Sequence, residues 1–261
     1  MKLSTLTALI GSLVGLLAIA LVYYLIDIGI VFLLVVGSTQ LLCYIIVAIT
    51  ISIATKFSEF VRGFMIGVNA CCSGLILYTL FSLLSPPPVA IIVSAILVTI
   101  NFLCAISWFS QGAFYQGIVG WSNWLLPMSW PIIGIGILFC LINSLLALVT
   151  FFQVNYFNIQ GFKVDWKTGT FFMKGGVISN LNVWDTAFNM GNFTFVDMKS
   201  SAWHIDHEAG HCLNLAAFGC LFHFVGFIDE FVLQRRSQAY AERLAESHDT
   251  GTSNNNIPMW A

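Results

Sequence analysis

Apolar residues fill the first 152 positions in long runs that are broken at only a few points. The longest extends from Leu6 to Thr55, and Asp27 is the only ionisable side chain between Lys2 and Lys56. A helix crosses a bilayer in about 20 residues, so this run is too long for one crossing. Asp27 and Gly29 mark a hairpin, which predicts spans over 6–26 and 30–54. A carboxylate inside a membrane would point to function, but at a hairpin Asp27 reads as a solvated loop residue. Lys56, Glu59 and Arg62 then make a short charged loop. A third span follows over 63–84, closed by Ser85 and the run Pro86-Pro87-Pro88, and a fourth covers 89–109. The stretch from Gln111 to Trp130 holds glycines, Pro127 and the tryptophans Trp121, Trp124 and Trp130. Tryptophan favours the membrane–water boundary, so this stretch reads as interfacial or re-entrant rather than as a crossing. A last span covers 131–152. Residues 1–152 are thus expected to form an α-helical polytopic membrane domain of about five spans.

Past Asn155 the pattern changes to short apolar runs between turn signals. Asp165-Trp166-Lys167-Thr168-Gly169 and Lys174-Gly175-Gly176 read as hairpin loops, and Phe193-Thr194-Phe195-Val196 alternates like a half-buried strand. A small β-meander is expected here. The apolar run from Cys212 to Ile228 is interrupted only by Asn214 and His223. It is short for a span and reads as a core helix that also touches the membrane. Residues 153–261 are therefore expected to form a separate, small α+β extramembrane domain.

Composition sharpens the division. Charged residues make up 8% of the 261, against about 25% in a typical soluble domain. No Lys, Arg, Asp, Glu or His lies between Arg62 and Lys163, whereas all five histidines and ten of the twelve acidic residues lie beyond residue 160. A net charge of -2 without a long basic run argues against a nucleic-acid partner. The seven cysteines contain no CxxC pair and an odd count argues against a complete disulfide framework. Ala18-Ile19-Ala20 could pass for a signal-cleavage site, but the apolar stretch continues through it, so a retained first helix is expected. An inside N-terminus puts Lys2, Lys56 and Arg62 on the cytoplasmic side. Five spans would then place the C-terminal part outside, and a sixth through 111–130 would bring it inside.

Chemistry concentrates after Ser200-Ser201, where a helical stretch carries His207-Glu208-Ala209-Gly210-His211. Two histidines four apart lie on one helix face and can bind one zinc ion, with Glu208 placed as general base. Three of the five histidines fall within eight residues here, in a chain where histidine is scarce. Catalysis needs a third protein ligand and an open position. Asn214 and Ala217 stand where a metzincin would have glycine and histidine. The polar lead-in Trp203-His204-Ile205-Asp206 and the lack of a suitable Asp in the spans argue against an intramembrane zinc protease. Downstream, Glu242 and Glu246 are four apart in Ala239-Tyr240-Ala241-Glu242-Arg243-Leu244-Ala245-Glu246-Ser247-His248. They could equally be exposed on a solvated helix beside Arg243. His204 and Glu230 are rival ligands, as are Asp229 and His223, although a histidine between Phe222 and Phe224 is more often packed and hydrogen-bonded.

The HExxH pattern with this downstream pair resembles the gluzincins, thermolysin-like and membrane-bound alike. The resemblance implies a zincin-like domain in which His207, His211 and Glu242 hold zinc. It also implies that Glu246 orients a zinc-bound histidine, although Asp is usual there. Phe188-Asn189-Met190-Gly191-Asn192-Phe193, the motif running into Ala216-Ala217-Phe218-Gly219, Phe222-His223-Phe224, the segment from Ala239 to Glu246 and the ending Ile257-Pro258-Met259-Trp260 are similar to a poorly characterised group of bacterial polytopic membrane proteins. That likeness covers under a third of the chain and implies a bacterial inner membrane, not a substrate.

Two functions remain open from the sequence. One is a membrane-anchored zinc metallopeptidase acting on a protein or peptide, with Glu208 as base and Tyr240 or His248 as candidate oxyanion stabiliser. The other is a non-catalytic metal-binding or scaffold subunit packed against partner membrane subunits, with the metal closed off by a fourth ligand such as His204.

Overall fold

The first hairpin forms where the sequence predicts it. In the computed structural model, which describes residues 3–50, 53–106, 113–151, 153–181, 186–233 and 236–246, α1 (Leu3–Ile26) and α2 (Ile30–Thr50) are joined at Asp27. Asp27 adopts φ 57°, a left-handed conformation that a short polar side chain tolerates, and its carboxylate accepts the Ile28 N–H at 2.7 Å. Helix α3 (Thr55–Ser82) begins earlier than the charge pattern suggests. Lys56, Glu59 and Arg62 belong to its first turns and not to a loop; Glu59 and Arg62 are 7% and 4% exposed. Opposite charges three residues apart share a helix face, and the Arg62 guanidinium also lies beside Tyr240 from the far end of the chain.

Helices α1 and α3 cross through two small-residue pairs, Gly11 with Gly15 and Gly63 with Gly67. A Cβ on Gly11 or Gly15 would overlap the carbonyl oxygen of Phe60 or Phe64, and one on Gly63 or Gly67 that of Ala8 or Ser12. Close backbone approach of this kind is how helices pack where water supplies no driving force. Helix α4 (Pro87–Ile106) starts directly after Pro86. Helix α5 (Ala113–Ser122) and two short turns, Asn123–Leu125 and Pro127–Ser129, lead into α6 (Trp130–Val149). The tryptophan-rich segment is thus broken into short helical pieces, its last residues opening the apolar stretch Pro127–Val149, and residues 111–112 lie outside the described part. Part of it is buried within the protein: the Asn123 side chain donates to the Cys212 carbonyl at 2.8 Å, and Trp124 meets Phe171 and Phe193 edge-on.

Four stretches among the described residues are long and apolar enough to cross a membrane, namely Leu6–Ile26, Ile30–Thr50, Lys56–Ser82 and Pro127–Val149. The apolar stretch of α4, Pro87–Leu103, is shorter. The fourth span expected from the sequence, 89–109, begins in this helix, and its last residues, 107–109, lie outside the described part.

The C-terminal part contains β1 (Ile159–Asp165), β2 (Thr170–Gly175), α7 (Val177–Leu181), β3 (Ala187–Met190) and β4 (Phe193–Val196). The sheet order is β1-β2-β4-β3, with β2 and β4 parallel, so it is not a meander. Gly169 (φ 69°) closes the expected β1–β2 hairpin. Gly175 and Gly176, at φ 82° and 87°, turn the chain into α7 instead of a second hairpin. That excursion brings β4 back beside β2. β4 is consequently an inner strand and not a half-buried one: Thr194, Phe195 and Val196 are at most 1% exposed. Phe195 faces Phe139 of α6, while Val196 packs with Trp203 and Ile205 at the start of the next helix.

That helix, α8 (Ile205–Phe218), is followed by α9 (Cys220–Phe227), a π-helical turn (Ile228–Val232) and α10 (Tyr240–Glu246). These elements pack against the preceding helices. A single apolar cluster joins Tyr44, Val47, Met65 and Ile66 to Phe218, Phe222, Tyr240 and Leu244. Asn69 of α3 donates to the carbonyls of Ala216 and Ala217, each at 3.1 Å. The apolar faces of α8 to α10 still need cover, and the helices α2 and α3 supply it.

Candidate metal centre

The motif occupies the first turns of α8. Asp206 and Glu208 place negative charge there, which suits the positive end of the helix dipole. His207 and His211 lie one turn apart and present both imidazoles to the same side, with ring centroids 4.9 Å apart. Gly210 between them lets α10 approach, because a Cβ on it would overlap the backbone of Ala245. Glu242, one turn earlier in α10, is thereby brought onto the histidine pair.

The donor atoms converge. His207 Nε2 and His211 Nε2 are 3.3 Å apart. Glu242 Oε2 lies 3.1 Å from His207 Nε2, and Glu242 Oε1 lies 3.1 Å from His211 Nε2. On the opposite edge of its ring, His207 Nδ1 is 3.0 Å from Glu246 Oε2. One ring nitrogen of His207 thus faces the shared centre while a carboxylate fixes the other, the usual way of orienting a metal-binding imidazole. The fit to a metal can be tested on these distances. Donors held about 2.0–2.1 Å from a small divalent cation in tetrahedral array stand about 3.3 Å from one another. The observed separations match, so the group His207, His211 and Glu242 could hold a metal ion.

Electrostatics point the same way. Burial opposes a charge on His207, but Glu242, Glu208 and Glu246 outweigh it and push its pKa up to about 10. His211 is raised for the same reason, with burial opposing and Glu242 prevailing. The two imidazoles in turn hold the Glu242 carboxyl below its ordinary range against the effect of burial. Without a metal the group is a proton-sharing cluster, which a cation replaces by displacing protons.

The cluster faces a cavity of about 360 Å³. Glu208 lines it beside the histidines, as do Phe139, Phe188, Phe222, Phe227 and Phe231. Its remaining acid is Glu230, which does not join the metal group. His223 is in the wall, its Nε2 3.1 Å from the Asn189 carbonyl. Burial, with His211 adding to it, lowers its pKa to about 4, so the ring is neutral and donates that bond. It is packed and hydrogen-bonded, as its aromatic neighbours suggest.

Other expected site residues lie elsewhere. His204 precedes α8 at φ 48°, and its Nε2 is near Thr186 Oγ1 and Ser200 Oγ at 3.1 and 3.3 Å. Coming before the first helical turn, it leaves the helix face that His207 and His211 share. Asp229 binds Tyr44 and the backbone of Tyr240. Tyr240 is 1% exposed and packs on Tyr44 and Phe222 in the core, away from the cavity, so it cannot stabilise an oxyanion there. His248 lies outside the described residues. Sequence reasoning missed the role of Gly210, although its place inside the motif was visible.

No family model matches the chain, and no curated protein or solved structure matches it either.

Proposed function

We propose that the protein is a membrane-anchored zinc-dependent metallopeptidase of a bacterial inner membrane, with its N-terminus inside. One observation carries the reading: Glu242, 35 residues from His207, meets both motif imidazoles while Glu246 takes the outer nitrogen of His207. A chance HExxH on a solvated helix would have no reason to gather this pair. His207, His211 and Glu242 would hold the ion, leaving the cavity side for substrate. When bound, zinc polarises a peptide carbonyl and acidifies a water molecule. Glu208 accepts a proton at its carboxylate and returns it to the leaving amine. Glu246 keeps the His207 tautomer fixed. The scaffold reading would have been favoured by a fourth ligand such as His204, which points instead to Thr186 and Ser200.

Metal analysis and peptide hydrolysis on the purified wild type, Glu208→Gln and His211→Ala test this. Wild type should carry about one zinc per chain and hydrolyse a fluorogenic peptide library. Glu208→Gln should keep the zinc and lose at least about 100-fold in rate, and His211→Ala should lose both. A wild type without zinc, or an active Glu208→Gln, overturns the proposal.

A further inference from the structure

We infer that Asp229 and Tyr44 are positioning residues for the metal group, fixing the start of α10, and through it Glu242, to the span α2. The inference rests on the reading of His207, His211 and Glu242 as a metal site. Helix α10 has 7 residues, Tyr240–Glu246, and a helix that short does not hold itself together in isolation. Its first N–H groups have no partner within the helix and must be satisfied from outside. The Tyr240 N–H donates to Asp229 Oδ2 at 3.0 Å. The Ala241 N–H donates to the Tyr44 hydroxyl at 3.3 Å. Tyr44 in turn donates to the same Asp229 oxygen at 2.9 Å, across 185 positions of sequence.

Both residues are nearly enclosed, Asp229 at 3% and Tyr44 at 2% exposed. In such surroundings a polar bond is hard to replace by water, and deleting one partner strands the other. The π-helical turn contributes to the placement. It turns Asp229 inward while Ile228 and Val232 stay 47% and 65% exposed. Other contacts of α10, Ala245 on Gly210 and Ala241 on Gly226, are steric and limit how close the helix comes, while Asn214 donates to the Ala241 carbonyl at 3.5 Å and Tyr240 and Leu244 pack in the apolar cluster. The bonds from Asp229 and Tyr44 decide its position along its axis. Glu242 is the next residue after Ala241, so a slip there carries its carboxylate off the two imidazoles.

Zinc affinity of the full-length protein in detergent, measured by competition with a chromophoric chelator, tests the inference alongside melting of the metal-free form. Tyr44→Phe removes one hydroxyl, and Asp229→Asn removes the charge at constant shape. Val36→Ala, on α2 but in the apolar cluster around Phe32 and Ile132, serves as the control for general loosening. Tyr44→Phe and Asp229→Asn should each weaken zinc binding about tenfold or more. Val36→Ala should lower the melting temperature and leave zinc affinity unchanged. If Asp229→Asn fails to fold, Tyr44→Phe decides alone. Unchanged affinity in Tyr44→Phe, or an equal loss in Val36→Ala, overturns the inference while leaving the metal site intact. A wild type that takes up no zinc removes the metal reading and the inference together.

Discussion

His207 gives its two ring nitrogens to two carboxylates, Glu242 at Nε2 and Glu246 at Nδ1, and this division makes its protonation sensitive to metal. In the metal-free protein its pKa stands raised from 6.5 to about 10. Below pH 6.5 the imidazole is charged in both folded and unfolded chains, and its contacts with Glu242 and Glu246 stabilise the metal-free fold in full. As pH rises through about 10 that contribution is lost. Metal must displace these protons, so zinc affinity should rise with pH between 6.5 and 10, and binding should release protons. Calorimetry in buffers of different ionisation enthalpy counts them; zero release with flat affinity would contradict the site. Of these residues, the histidines and Glu208 were legible from spacing alone. Spacing showed Glu242 and Glu246 only as a pair on one helix face; that they meet the motif histidines was implied by the resemblance to gluzincins and not by any local pattern.

At the scale of elements, two close crossings do different work. Gly210 sets the contact of α8 with α10, and Gly63 and Gly67 set that of α3 with α1. Gly210→Val should push α10 away and lower zinc affinity at least about tenfold, with the spans still packed. Gly63→Val should do the reverse, lowering the melting temperature of the detergent-solubilised protein with little effect on zinc. Circular-dichroism melts and chelator competition on both variants check this, and a similar response from the two would sink the distinction. The helices themselves are readable from hydropathy because each residue's transfer into lipid is a local property. The sheet is not. Gly175 and Gly176 look the same whether the chain reverses into a hairpin or passes into α7, and only the space beside β2 selects the second.

For the whole molecule, the decisive fact is that the C-terminal helices complete their core on α2 and α3. Phe218, Phe222, Tyr240 and Leu244 are at most 2% exposed in a cluster that they share with Tyr44, Val47, Met65 and Ile66. A fragment of residues 153–261 should therefore aggregate, or bind zinc far more weakly than the full chain. Titration of the refolded fragment measures this, and full affinity in a soluble fragment would show the site to be independent of the spans. The sequence by itself determined the apolar stretches, the Asp27 hairpin and the HExxH face, since each depends on neighbours within a turn or on transfer from water to lipid. Tertiary structure alone decided that Glu59 and Arg62 are buried, that His204 stays outside the group, and that Glu242 meets His207 and His211. Those outcomes depend on contacts between distant segments, such as Gly210 with Ala245 and Tyr44 with Asp229. No local pattern encodes them, because the partners become neighbours only when the apolar faces of α2, α3 and α8 to α10 close on one another.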